Sequence, residues 1–113
     1  MIQRFEVELL EQAYEFLKKL DLKHRKKIIQ NMDRAKFHTD PKLFKKLDGE
    51  IWEFRTLFSG MQYRLLAFWD KTEQTETLVF ATHGFVKKTS KVDKKEIDKA
   101  ERIRQQYFKS KKS

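Results

Sequence analysis

Apolar residues fall into four kinds of run along the chain. Ile2, Arg4, Phe5 and Val7 alternate loosely, so Ile2 to Val7 reads as a short edge strand. Leu9, Ala13, Phe16, Leu17 and Leu20 then recur at three- and four-residue spacing and define one amphipathic helical stripe. A second helical period runs from about Leu22 to Lys36. It predicts Leu22, Ile28, Ile29, Met32 and Ala35 inward and Lys23, Arg25, Lys26 and Lys27 outward, so the pair forms a helical hairpin. Phe37 to Asp48 holds the only proline, Pro41, and reads as a connection that delivers Leu43 and Phe44 before Asp48-Gly49 turns the chain.

The period then changes to two. In Ile51 to Phe58, Trp52, Phe54 and Phe58 alternate with Glu53, Arg55 and Leu57, and Met61 to Trp69 repeats the pattern. Ser59-Gly60 between them suits a two-residue hairpin turn, because glycine tolerates positive φ. That turn sets a register: Phe58 faces Met61, Thr56 faces Tyr63, Phe54 faces Leu65 and Trp52 faces Ala67, an almost dry surface for helices to cover. On the opposite surface Arg55 lands against Arg64. A polar turn, Lys71 to Gln74, precedes a third strand from about Thr77 to Val86. Asp93 and Glu96 then have capping-box spacing ahead of a helix with Ile97, Ala100, Ile103 and Tyr107 on its inward face and Lys95, Lys99 and Arg102 on another. Lys109 to Ser113 reads as a flexible basic tail. The expected fold class is α+β: two N-terminal helices on a small antiparallel sheet, closed by a C-terminal helix, in one domain spanning 1–113.

A length of 113 residues with 39% apolar and 13% aromatic composition supports one packed core and argues against disorder. The absence of cysteine removes disulfides and thiolate metal sites and favours a reducing compartment. The acidic, amphipathic amino terminus does not resemble a signal peptide, and no apolar run reaches membrane-spanning length, so a cytoplasmic location is expected. Net charge is +9, unevenly spread. Residues 87 to 113 hold eleven Lys or Arg against four Asp or Glu, which leaves only +2 for the rest. Such a local field draws phosphate backbones, so a polyanion, above all RNA, is the expected partner; a merely solvated tail is the alternative.

Two arginines directly opposed in a sheet repel by a few tenths to about 1 kcal/mol, which a bound anion would offset. Arginine suits phosphate because its planar fork donates two parallel hydrogen bonds. The competing explanation is a structural ion pair with Glu53 or Glu50. His83, beside the sheet cations in Thr-His-Gly-Phe, is a candidate general base or acid, though a lone strand histidine is more often structural. Lys87, Lys88 and Lys91 continue the positive surface toward Lys95, Lys99 and Arg102, which would bind RNA. The scattered His24, His38 and His83 lack zinc-ligand spacing, and no metal or cofactor is expected. Glycine-rich phosphate loops, nucleophile elbows and paired carboxylates are not recognisable. Catalytic groups would therefore be cationic, suited to phosphodiester cleavage by positioning and charge stabilisation.

At Lys46-Leu-Asp-Gly-Glu-Ile-Trp-Glu-Phe-Arg55, Tyr63-Arg64, His83-Gly-Phe-Val-Lys-Lys-Thr89 and Lys94-Lys-Glu-Ile97 with Ala100, the chain resembles the HigB toxins of the RelE/ParE superfamily, including phage-derived relatives. The resemblance is firmest over residues 46 to 108. It implies a RelE-like fold and a toxin of a type II toxin-antitoxin pair that cuts mRNA in the ribosomal A site until a helix-turn-helix antitoxin binds it. It implies attack by the ribose 2′-hydroxyl on the adjacent phosphate, with Arg55 and Arg64 as clamp, Lys87 and Lys88 stabilising charge or moving protons, and His83 as base. Relatives commonly show Thr-Pro where this chain has Val92-Asp93, a change expected at the helix start and not at the site. A gyrase poison of the same superfamily, a nonenzymatic RNA- or ribosome-binding module and a degenerate toxin are the other readings.

Overall fold

The computed structural model describes residues 2–72 and 78–112. Its elements run β1 (Glu6–Leu9), α1 (Glu11–Lys18), α2 (Leu22–Phe37), β2 (Phe44–Asp48), β3 (Ile51–Phe58), β4 (Met61–Asp70), β5 (Leu78–Val86) and α3 (Lys94–Lys112). The strands form one sheet in the order β1-β5-β4-β3-β2. The class is α+β as expected, but the layout differs at both ends of the sheet. β1 comes first in the chain and pairs in parallel with β5, Val7 opposite Val79. β2 occupies what reads in the sequence as a connection, pairing Phe44 with Phe54 and Lys45 with Glu53. Thr77, and Glu73 and Gln74 of the anticipated turn, lie outside the described residues.

The β3–β4 hairpin has the register that its turn dictates. Ser59 (φ 51°) and Gly60 (φ 74°) both adopt left-handed backbone, the condition for a tight turn that matches strand twist. Phe58 then faces Met61, Phe54 faces Leu65 and Arg55 faces Arg64. Phe54, Tyr63, Leu65, Ala67, Val79 and Ala81 pack with Ala13 and Leu17 of α1 and Ile28, Met32 and Ala35 of α2. The other sheet surface holds Ile51 and Leu66 against Ala100 of α3, with Leu47, Phe85 and Ile97 around them. The sheet is therefore sandwiched, α1 and α2 on one surface and α3 on the other.

A bulge in β5 decides which surface its last residues serve. Leu66 pairs with His83 but Ala67 pairs with Ala81, leaving Thr82 as the extra residue. Without it His83 would share the helix-hairpin side with Ala81. With it, His83 and Phe85 turn toward α3, and Gly84 faces α1 so closely that a Cβ there would run into the Phe16 ring. A side chain is excluded at that position by packing.

Three further expectations are corrected. Leu9 lies in β1 and Leu20 lies past the end of α1, so the first helix is only eight residues long. Leu22 and Ile29, expected inward, are 57% and 41% exposed. The tail is not flexible coil: α3 continues to Lys112, and Lys111 reaches Asp70 at 2.7 Å. No helix among the described residues is long and apolar enough to cross a membrane.

Candidate functional site

On the α3 side of the sheet, beyond the helix's N-terminal end, the side chains become charged. Arg55 of β3 and Arg64 of β4 are directly paired, and the Glu53 carboxylate lies between them. Glu53 Oε1 is 3.6 Å from Arg55 Nε and Oε2 is 3.4 Å from Arg64 Nε. Both Glu53 and Arg64 are 3% exposed. The proximity is electrostatic more than directional, since Glu53 Oε2 and both Nε atoms are buried without a hydrogen-bond partner. Arg64 instead donates to the Tyr63 carbonyl (3.0 Å) and to Gln62 Oε1 (3.4 Å), and Arg55 donates to the Pro41 carbonyl (3.3 Å). The bound anion and the internal ion pair that the sequence offers as alternatives are thus not exclusive. One carboxylate is shared by two guanidinium groups, leaving an excess positive charge.

More cations surround this pair. Lys45 sits opposite Glu53 through the β2–β3 pairing. Lys87, just past β5, is held by its backbone N–H to the Gln62 carbonyl at 2.7 Å. Burial, and then the nearby Arg64, Arg55 and Lys45 charges, push the Lys87 ammonium below its ordinary range against the opposing pull of Glu53. Arg64 is likewise lowered by burial and by Arg55, with Glu53 opposing. A groove of about 330 Å³ opens over the pair, lined by Lys42, Arg55, Thr56, Leu57, Gln62 and Arg64. A second, of about 230 Å³, runs from Phe85 past Lys87, Lys88 and Lys91 to Lys95 and Glu96. Arg55, Arg64 and Lys87 therefore converge, and Lys88, Lys91 and Lys95 extend their surface. Lys99 approaches His83 instead, and Arg102 is exposed farther along α3.

His83 does not open onto either groove. It is 3% exposed, with Nδ1 3.0 Å from Thr82 Oγ1 and Nε2 3.2 Å from Glu96 Oε1 of α3. Burial foremost, then Lys99, lowers its pKa, while Glu96 opposes. The imidazole thus ties α3 to β5. The capping box is half realised for the same reason: Asp93 Oδ1 accepts from the Lys95 N–H at 3.0 Å, while Glu96 turns to His83.

Lys42 and Lys45 are the site residues that sequence reasoning missed. Their signal was β2 itself: once Phe44 is placed opposite Phe54, Lys45 necessarily joins Glu53.

The fold and site together define a small α+β domain whose sheet presents an arginine pair with a shared buried carboxylate. The chain belongs to the phage-derived Gp49-like family (DUF891), whose model matches residues 15–105 and which is part of the RelE/ParE-like toxin superfamily. That membership is consistent with a toxin of a toxin-antitoxin pair. No curated protein matches the chain.

Proposed function

We propose that this protein is a HigB-like toxin of a type II toxin-antitoxin pair that cuts mRNA in the ribosomal A site, within the cytoplasm, and is neutralised by a helix-turn-helix antitoxin. The observation that supports this best is the pairing of Arg55 and Arg64 on one groove with Lys87 close enough to feel both charges, and with Glu53 as the close counter-charge the two arginines share. A phosphodiester entering the groove meets the part-exposed Arg55 guanidinium, whose fork suits its non-bridging oxygens, with the buried Arg64 charge behind it. The ribose 2′-oxygen attacks phosphorus, its proton passing to solvent, and the bond to the 5′-oxygen breaks. The products are a 2′,3′-cyclic phosphate and a 5′-hydroxyl. The arginines stabilise charge on the pentacovalent phosphate, and Lys87, its proton loosened by burial and by like charges, protonates the leaving oxygen. Lys88 and Lys91 hold the flanking strand. His83 serves this reading by docking α3, because both its ring nitrogens already have partners inside the protein.

Induction of the wild type and of Arg64→Ala in a bacterial host, with new mRNA 5′ ends mapped during growth arrest, tests the proposal. Codon-phased ends are expected for the wild type and should fall by about 100-fold in a folded variant, the usual effect of deleting a group that stabilises transition-state charge. Arrest without new ends would support a gyrase poison, and no arrest would support a nonenzymatic or degenerate protein.

A further inference from the structure

Lys87 lies between the arginine groove and the lysine groove. Its backbone N–H donates to the Gln62 carbonyl at 2.7 Å, which carries the β4–β5 pairing one step past Tyr63 and Val86. That step sets Lys87 beside Gln62, which lines the arginine groove, while Lys87 itself lines the other with Lys88, Lys91 and Lys95. Alternation after the Thr82 bulge sends Lys87 to the same surface as Phe85, which pairs directly with Arg64. Lys88, Lys91 and Lys95 are exposed, whereas Lys87 is partly buried.

Such a position changes the chemistry of an amine. An ammonium partly withdrawn from water and crowded by guanidinium groups gives up its proton more readily than one in open solvent. Burial first, then Arg64, Arg55 and Lys45, moves Lys87 in that direction against the pull of Glu53. The free amine is a nucleophile. The part-exposed Arg55 guanidinium, with the Arg64 charge behind it, offers a small phosphate a seat close by. A reagent with a phosphate at one end and an electrophilic carbonyl at the other would be held there with its carbon near the amine. Acyl phosphates have this form.

We propose that Lys87 is a site of acylation by small acyl phosphates held through their phosphate at the arginine groove, a modification independent of RNA cleavage. The Lys87 nitrogen attacks the acyl carbon, and the carbon–oxygen bond to the phosphate breaks. Inorganic phosphate leaves with the electron pair of that bond, and the amine proton passes to solvent. The amide formed is neutral, so the surface loses one positive charge and, in the cleavage reading, its proton donor.

The test incubates the full chain with acetyl phosphate near neutral pH and follows acetylation of each lysine by peptide mass spectrometry. Lys87 is expected to react at least about tenfold faster than Lys88, Lys91 or Lys95, a gain that holding a reagent beside its target readily supplies. Excess inorganic phosphate should remove most of that preference. Arg55→Ala, its fold checked by circular dichroism, should do the same, and acetic anhydride, which carries no phosphate, should spread its label more evenly. Equal acetylation of these lysines by acetyl phosphate overturns the proposal. A preference for Lys87 that excess inorganic phosphate leaves intact overturns it too, because the amine would then react without a seat for the phosphate. Wild-type protein acetylated in the expected pattern that cuts no mRNA would leave the modification standing and sink only the cleavage reading.

Discussion

Two guanidinium groups opposed on adjacent strands are tolerable here because Glu53 stands between them. Its carboxylate is within 3.6 Å of Arg55 Nε and 3.4 Å of Arg64 Nε, and the Glu53 and Arg64 side chains are each 4% exposed. Removing one member of a buried charge set leaves the others uncompensated, which costs about 3 kcal/mol or more. Glu53→Gln, which keeps the shape and deletes the charge, is expected to lower stability by about 3 kcal/mol in urea unfolding, with part of the loss recovered when Arg55→Met is added. An unchanged midpoint would mean that solvent or conformational relief screens the arginines and that Glu53 is incidental. The opposed pair was legible in the sequence because Ser59-Gly60 permits only a short turn, and a short turn fixes every cross-strand neighbour. The additional cations were not legible. Lys45 reaches the cluster only through the β2–β3 pairing, and Lys42 only through the chain's path into β2.

Helix α3 is fastened at both ends by buried polar groups. Near its start His83 meets Glu96. Near its end the fully buried Asp70 accepts hydrogen bonds from Tyr107 (2.6 Å), Lys111 (2.7 Å) and Thr72. Burial alone would raise the Asp70 pKa, but the donors from Lys111, Thr72 and Tyr107 hold its carboxyl well below the usual range. Asp70→Asn should cost about 2 to 4 kcal/mol and, in hydrogen exchange, should loosen the last turns of α3 before the rest of the helix. Acid should act in two stages, with signs that follow from the shifts. The lowered pKa of His83 means that the unfolded chain takes up a proton first, so stability falls as pH drops below about 6.5. Asp70 is lowered too, so its contribution is intact above about 4 and declines as pH falls further. Denaturation midpoints measured from pH 7.5 to 5 should fall for the wild type and stay flatter for His83→Gln; parallel curves would contradict the assignment. The same elements show where pattern reading stopped. Phe44–Asp48 is a short edge strand with two lysines, the composition by which natural edges avoid aggregation, and it offers little hydrophobic alternation to detect. Lys109 to Lys112 look like tail because their anchor, Asp70, is distant in sequence.

At the scale of the molecule, the sheet separates two surfaces with different chemistry. The helical hairpin covers one and presents a basic, partly apolar surface outward; the other joins α3 to an arginine and lysine groove. The concentration of charge after residue 86 was legible, but which cations cooperate depends on strand pairing and on the Thr82 bulge, a one-residue shift that places His83 under α3. Leu22 and Ile29 show the converse limit. Helical period identifies apolar positions, yet α2 carries more of them than one buried stripe can hold, and only the packing reveals which remain outside.

Cleavage of ribosome-bound mRNA at the arginine groove is the proposed activity. It is tested most directly with purified components, by adding the wild type and Arg64→Lys to translating ribosomes programmed with a defined mRNA and analysing the fragment ends. Arg64→Lys retains charge beside Glu53 but loses the fork. The wild type should yield fragments ending in 2′,3′-cyclic phosphate, formed only when ribosomes are present, and Arg64→Lys should yield about 10- to 100-fold fewer at equal fold content. Intact mRNA with the folded wild-type protein, or equal cleavage by Arg64→Lys, would contradict the account.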